Sequence, residues 1–342
     1  MTLNIERVIA KELDVRERQI TAAVELLDGG ATVPFISRYR KEITGGLDDT
    51  QLRKLEERLG YLRELEVRRE AVLSSILEQG KLTPELEIAI IAAETKVRLE
   101  DLYLPYKQKR RTKAQIALEA GIEPLADSLI SDPCLEPFDE ALAYINKDEK
   151  FKTAFEDAKG VLDGAKYILM ERFAEDAELL QSIRDFMSHN TVIFSNVVSG
   201  KEKDAAKYRD YFDLRDKFQG IPSHRALAML RGRREGLLQL RIDVVVPDDQ
   251  VHPCISMIGN HFEISHHDRA ADDWLAEVVS WTWRVKLQLH QETELMSAMR
   301  AAAEEAAIEV FALNIKDLLL AAPAGQKATI GLDPGLRTGV KL

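Results

Sequence analysis

The stretch DDTQLRKLEERLGYLRELEVRREAVLSSILEQG, residues 48–80, decides the fold class. Leu52, Leu55, Leu59 and Leu62 recur at three- and four-residue spacing, the period of one face of an α-helix. Asp48 or Asp49 suits the cap, because a carboxylate there accepts from the orphan N–H groups of the first turn. The pattern runs to about Gly80 and predicts one long helix. A chain that opens on such an element is read as mainly α.

Working outward, the same period appears on both sides. Ile5, Val8 and Ile9 begin one amphipathic segment, and Ile20, Ala23, Val24 and Leu27 make a second that Gly29-Gly30 stops. VPFISRYRKEI follows, with Pro34 at a first-turn position where its missing N–H costs nothing. Two short helices around a glycine turn permit a helix-turn-helix reading, or simply a helical hairpin. Arg38, Arg40 and Lys41 lie just beyond that turn. Thr83-Pro84-Glu85 reads as cap, N1 proline and first-turn acid of a further helix.

The composition changes at TVIFSNVV, residues 191–198, which is β-branched and reads as a strand or buried linker. LLQLRIDVVV is a second strand candidate, and between the two lies a helix, HRALAMLRGRRE, with Ser223 as its expected N-cap. A very long helical stretch then spans about Arg269 to Leu320. In it Met299, Ala303, Ala306, Val310 and Leu313 follow 4-3-4-3 spacing, and the alanines predict close helix–helix approach. APAG at 322–325 breaks it, and KATIGLDPGLRTGVKL starts something new. The boundaries expected from these changes are 1–190, 191–322 and 323–342.

At 342 residues, about 150 per domain suggests roughly two domains. No run approaches the roughly 18 apolar residues of a membrane span, and the N-terminus lacks the apolar core of a secretory signal. Cys134 and Cys254 stand alone, as in a reducing compartment. The expectation is a cytoplasmic protein without a disulfide framework. Net charge is −11, yet residues 119–178 hold sixteen acidic against six basic residues and carry almost all of it. Basic islands flank this block: Arg38, Arg40, Lys41; Lys107, Lys109, Arg110, Arg111, Lys113; and Arg225, Arg231, Arg233, Arg234. Binding depends on the local field, so overall acidity excludes little.

Five cations in the seven positions 107–113 repel one another and call for solvent or an anionic partner. Tyr103 and Tyr106 nearby either stack on bases or anchor a core. His252, Cys254, His261, His266, His267 and Asp268 match no compact zinc spacing, so no metal or other cofactor is expected. No phosphate loop, dinucleotide fingerprint or hydrolytic triad is visible. Asp333, between Gly331 and Gly335, either makes a tight turn or stands as a first-strand carboxylate for divalent metal. Only nine residues follow it, too few for the further strands and carboxylates of a nuclease. The chain is therefore expected not to be an enzyme.

Five segments in order resemble the Tex family of bacterial transcription accessory proteins. They are VPFISRYRKEITGGLDD (33–49), LEDLYLPYKQKRRTKAQIALEAGIEPLAD (99–127), KYRDYFD (207–213), IPSHRALAMLRGRREG (221–236) and IGLDPGLRTGVKL (330–342). The resemblance implies a multi-helical N-terminal domain with a helix-turn-helix-like unit, a central long-helix region, and the short β start of a YqgF-type, ribonuclease H-like domain. It implies an N-terminal portion that lacks the C-terminal OB-type domain of the family. The function implied is a non-enzymatic nucleic-acid-binding accessory of transcription, on DNA or RNA. Lys107, Lys109, Arg110, Arg111 and Lys113 are the expected phosphate contacts, with Arg38, Arg40 and Lys41 beside them. The alternative is a protein scaffold in which the long helix and the acidic block engage RNA polymerase or ribosomal components. A metal-dependent nuclease would need a longer chain.

Overall fold

A computed structural model describes residues 4–108, 110–146, 151–247, 249–323, 325–326, 328, 330–335 and 339–341. Helix dominates, with one three-stranded antiparallel sheet. The chain packs as two compact units that are discontinuous in sequence: 1–185 with 248–289, and 186–247 with 290–342. Among the described residues, no helix is long and apolar enough to cross a membrane.

The first unit is built on the helix Asp49–Glu78. Asp48 is its cap: a carboxylate oxygen accepts from the Gln51 N–H at 2.7 Å, and the Gln51 side chain accepts from Asp48 N–H at 3.0 Å. Its apolar stripe runs on past Leu62 to Leu65, Val72 and Ile76, all fully buried. Ile9, Ile20 and Ile36 from three preceding helices, Ile5–Glu12, Glu17–Asp28 and Val33–Tyr39, share that core. Gly30, at φ +85°, makes the turn between the second and third of these, a conformation that a side chain would strain. Thr83 caps Pro84–Ala92 by accepting from Leu86 N–H at 3.2 Å, and Pro84 opens that helix. Buried Arg69 reaches from the long helix to the Ala93 carbonyl at 2.7 Å and ties the two elements together.

The helix Ala158–Ala174 carries a second core around Val161, Ala165, Leu169 and Phe173. Phe173 stacks on Phe262 with ring centroids 3.9 Å apart. Gly164 is where the helix Lys113–Glu119 comes close: a Cβ there would sit 2.9 Å from the Phe155 ring and 3.3 Å from Ala117. The expected long C-terminal helix is regular only in parts. Asp272–Trp281 is α-helical, Thr282–Leu287 widens to π-helix, and Gln288–Leu319 resumes the α form. At the widened turn Thr282 donates to the Val278 carbonyl at 2.8 Å, and buried Trp283 stacks on His252 at 4.7 Å.

In the second unit the strands β1 (Thr191–Val197), β2 (Asp213–Lys217) and β3 (Leu238–Val244) form a sheet in the order β2-β1-β3. Ile193 pairs with Ile242 across β1 and β3, and both are buried. At the β3 edge the Glu292 carboxylate accepts from the Ile242 N–H at 3.2 Å. On β2, Asp213, Arg215 and Lys217 alternate outward. The helix Ser223–Arg234 lies on β3. Ser223 is its first residue and not its cap; Pro222 takes that position, and the serine side chain makes no capping bond. Met299 and Ala303 are buried as the alanine spacing predicts, but Val310 and Leu313 are 54% and 59% exposed. The close approach ends at Ala303. Near the C-terminus, Asp333-Pro334 pairs antiparallel with Val340-Lys341, a two-residue ladder closed by Gly335 N–H on the Gly339 carbonyl at 2.8 Å.

Candidate nucleic-acid interface

The basic loop hangs between two fixed points. On its N-terminal side, the 3-10 turn Leu104–Tyr106 follows the helix Lys96–Tyr103. The Tyr103 hydroxyl meets the Ser75 hydroxyl at 3.1 Å, and Gln79 donates to the Tyr106 carbonyl at 2.9 Å. Both tyrosine rings are partly buried against the first core and so anchor the loop. On the other side Thr112 caps Lys113–Glu119, accepting from Gln115 N–H at 3.0 Å. Ala114 and Ala117 then bury against the Gly164 face of Ala158–Ala174.

The five expected phosphate contacts fare differently. Lys107 and Arg110 are exposed, and their side chains have no ion pair among the described residues. Arg111 is bound to Glu119 at 2.7 Å, and the Lys113 ammonium lies 4.8 Å from the Tyr167 ring centre while donating to its hydroxyl at 3.1 Å. Lys109 lies outside the described residues. The loop borders a cleft of about 650 Å³, where Lys81, Lys107 and Arg110 are set against Glu171, Glu175 and Asp176. Those carboxylates repel an anion, so a phosphate chain is favoured only beside Lys107 and Arg110. A neighbouring arginine, Arg172, is already held by Asp127 at 2.7 Å.

The second expected patch sits on Val33–Tyr39. Val33 and Ile36 bury on one face, which turns Arg38 outward and leaves Phe35 and Tyr39 40% and 66% exposed. The two rings lie 5.4 Å apart, and the Arg40 guanidinium sits 5.1 Å from the Phe35 centre. Lys41 is exposed beside them. Cations interleaved with exposed rings can hold phosphates and stack unpaired bases together. Reading the sequence for charge picks out Arg38, Arg40 and Lys41 but misses Phe35 and Tyr39. Their i, i+4 spacing was the available signal.

The histidine-rich stretch has other employment. His252 stacks on Trp283, buried Cys254 donates its N–H to His252 Nδ1 at 3.2 Å, and His261 faces Asp176 at 3.0 Å. Asp272 takes the Arg269 Nε at 2.9 Å and the backbone N–H groups of Arg269 and His267. The Arg269 guanidinium, with those N–H groups, holds its carboxyl well below the usual carboxylate range. Among the described residues, no group of three or more His, Cys, Asp or Glu is placed to share a metal ion.

Two family models match the chain: "Tex-like protein N-terminal domain" over residues 3–77 and "Tex central region-like" over 132–311. Protein YhgF of Escherichia coli (strain K12) is 58% identical over 339 residues, covering 98% of this chain and 43% of the relative. Transcriptional accessory protein Tex of Neisseria gonorrhoeae is 52% identical over 343 residues, covering 99% and 44%. S1 RNA-binding domain-containing protein 1 of Homo sapiens is 26% identical over 351 residues, covering 100% and 34%. The chain thus spans less than half the length of these curated relatives.

Proposed function

Because the chain belongs to the Tex family, we propose that it is a non-catalytic, nucleic-acid-binding scaffold of a transcription accessory protein, working in the cytoplasm. The observation that carries this reading is a set of exposed cations left without acidic partners. Lys107, Arg110, Arg38, Arg40 and Lys41 have no ion pair among the described residues of an otherwise acidic chain. Lys109, Arg111 and Lys113 support them as auxiliary contacts. The names of the relatives, which speak of transcription and of an S1 RNA-binding domain, agree with that chemistry. The exposed rings of Phe35 and Tyr39 favour a single strand, since a duplex keeps its base faces stacked.

The test is a titration against single- and double-stranded RNA and DNA at two salt concentrations. If the five unpaired cations all neutralise single-strand phosphates, log K against log salt slopes at about −3.5. A K107A/R110A/R38A/R40A/K41A variant with unchanged affinity and slope would sink the reading.

A second reading is favoured by one feature, the exposed apolar end of the long helix, where Ile308, Phe311, Leu318 and Leu319 are at least 65% exposed. Such a surface suits a protein partner, RNA polymerase or ribosome among them. Pull-downs with and without nuclease separate the two, because only protein contacts survive the nuclease.

A further inference from the structure

The second unit holds a groove of about 480 Å³ lined by Leu227, Leu230, Arg231, Arg233, Arg234, Arg300 and Glu304. Three of its arginines end the helix Ser223–Arg234, and the fourth comes from the helix Gln288–Leu319. The helix end is fixed by Gly232. A Cβ there would lie 2.6 Å from Leu238 Cδ1, so only glycine lets the RGRR turn settle onto β3. The Leu237 N–H on the Gly232 carbonyl at 2.9 Å and the positive φ of Gly236 close the turn.

Three of these arginines differ from most others in the chain by having nothing to do; the fourth, Arg231, acts with the Lys207 ammonium to lower the Glu235 carboxyl from its ordinary range. Arg58, Arg63 and Arg225 each meet a carboxylate within 2.9 Å. Arg233, Arg234 and Arg300 have no hydrogen bond or ion pair among the described residues. The adjacent Glu235 is taken by Lys207 at 2.7 Å, which leaves Glu304 as the single acid lining the groove. A helix C-terminus welcomes a cation in its last turn, but that effect fades within a turn. It does not answer for Arg300, which sits in the middle of its own helix. Four guanidinium groups round one groove repel each other unless an anion lies among them.

We propose that this groove binds the phosphodiester backbone of a nucleic acid, at a site separate from the basic loop and the Phe35 patch. Guanidinium forks match phosphate oxygens in a bidentate way. An acidic protein segment fits less well. Its exposed charge pairs would contribute little, and affinity would have to come from apolar anchors. Leu230 is buried and Leu227 half-buried, so the groove offers little to anchor on. A polyanion with condensed counterions gains by releasing them and needs no such surface. No aromatic ring lines the groove, so it reads neither base nor strand number.

The 342-residue chain is titrated with a labelled mixed-sequence RNA single strand and a DNA duplex over a salt series. The variants are R231Q/R233Q/R234Q/R300Q, its all-Lys counterpart, and a loop-and-patch variant K107Q/R110Q/R38Q/R40Q/K41Q. The Gln variant is expected to flatten the salt slope by about 2.8 on single strand and about 3.6 on duplex, and to lose at least about tenfold in affinity. The all-Lys variant keeps the slope, since it keeps the charge, and matching melting curves show that all variants are folded. Unchanged slope and affinity in the Gln variant, alone and combined with the loop-and-patch variant, overturn the proposal. If the loop-and-patch variant alone loses slope, the groove is wrong and the loop reading stands. Polyglutamate, titrated alongside as an acidic-protein control, also decides: a Gln variant that loses polyglutamate binding with RNA binding intact overturns the proposal.

Discussion

The loop at 107–113 and the groove around Arg231 and Arg300 are both basic, and they differ in how much of their charge is already satisfied. Along the sequence the loop is the longer run, five cations in seven positions against three in four at 231–234. In three dimensions Arg111 is held by Glu119, Lys113 by Tyr167, and carboxylates line the cleft that the loop borders. The groove gathers its four arginines from positions 231 to 300 and sets a single acid among them. Density of charge in the chain is therefore a poor guide to field. What counts is which cations the fold leaves unpaired.

The strongest test of that contrast removes support from one region only. Phe173→Ala empties the second core, built on the helix against which Lys113–Glu119 packs, and should cost about 3–5 kcal/mol in urea unfolding. Below its melting transition the variant should lose loop binding while the salt slope due to the groove persists; loss of both would break the comparison. Next, Gly232→Val forces side-chain atoms into Leu238 and should cost about 1–3 kcal/mol. It should also weaken duplex binding although no charge has changed, as fluorescence anisotropy would report. Thr112→Ala removes the cap that fixes the loop's C-terminal end, for about 1 kcal/mol in thermal melts. The smallest effect is the sharpest. Glu119→Gln frees Arg111 and should steepen the single-strand salt slope by about 0.7. An unchanged slope would mean that pairing is not what silences the loop.

Much of the fold is legible in the sequence because its signals are local. The Asp48 cap, the leucine stripe behind it and the Thr83-Pro84 start need only neighbours within four residues. The strand at Thr191–Val197 shows in its β-branched run. Other features depend on distant partners. Asp213–Lys217 is charged at four of five positions and is a strand only because it pairs with β1. Ser223 looks like a cap until Pro222, held at ψ 134°, takes the position. The π-helical turn at Thr282–Leu287 has no signature in the residues that form it.

The candidate sites follow the same rule. The loop was visible as a run of cations. The aromatic half of the Arg38 patch is hinted at only by the i, i+4 spacing of Phe35 and Tyr39, and its exposure depends on Val33 and Ile36 facing inward. Arg300 could not be joined to Arg231 by any local reading, since 69 positions separate them along the chain.

The three-stranded sheet has one more consequence. A sheet this small has two open borders, and an open border is a template on which a stray extended segment, from a nascent chain or another copy, can add itself. Outward Asp213, Arg215 and Lys217 make one edge strand a charged row that an apolar newcomer cannot match. On the other, the Glu292 carboxylate already occupies an N–H that a newcomer would need. The same long helix that carries Arg300 to the groove thus also blocks one pairing position on that border.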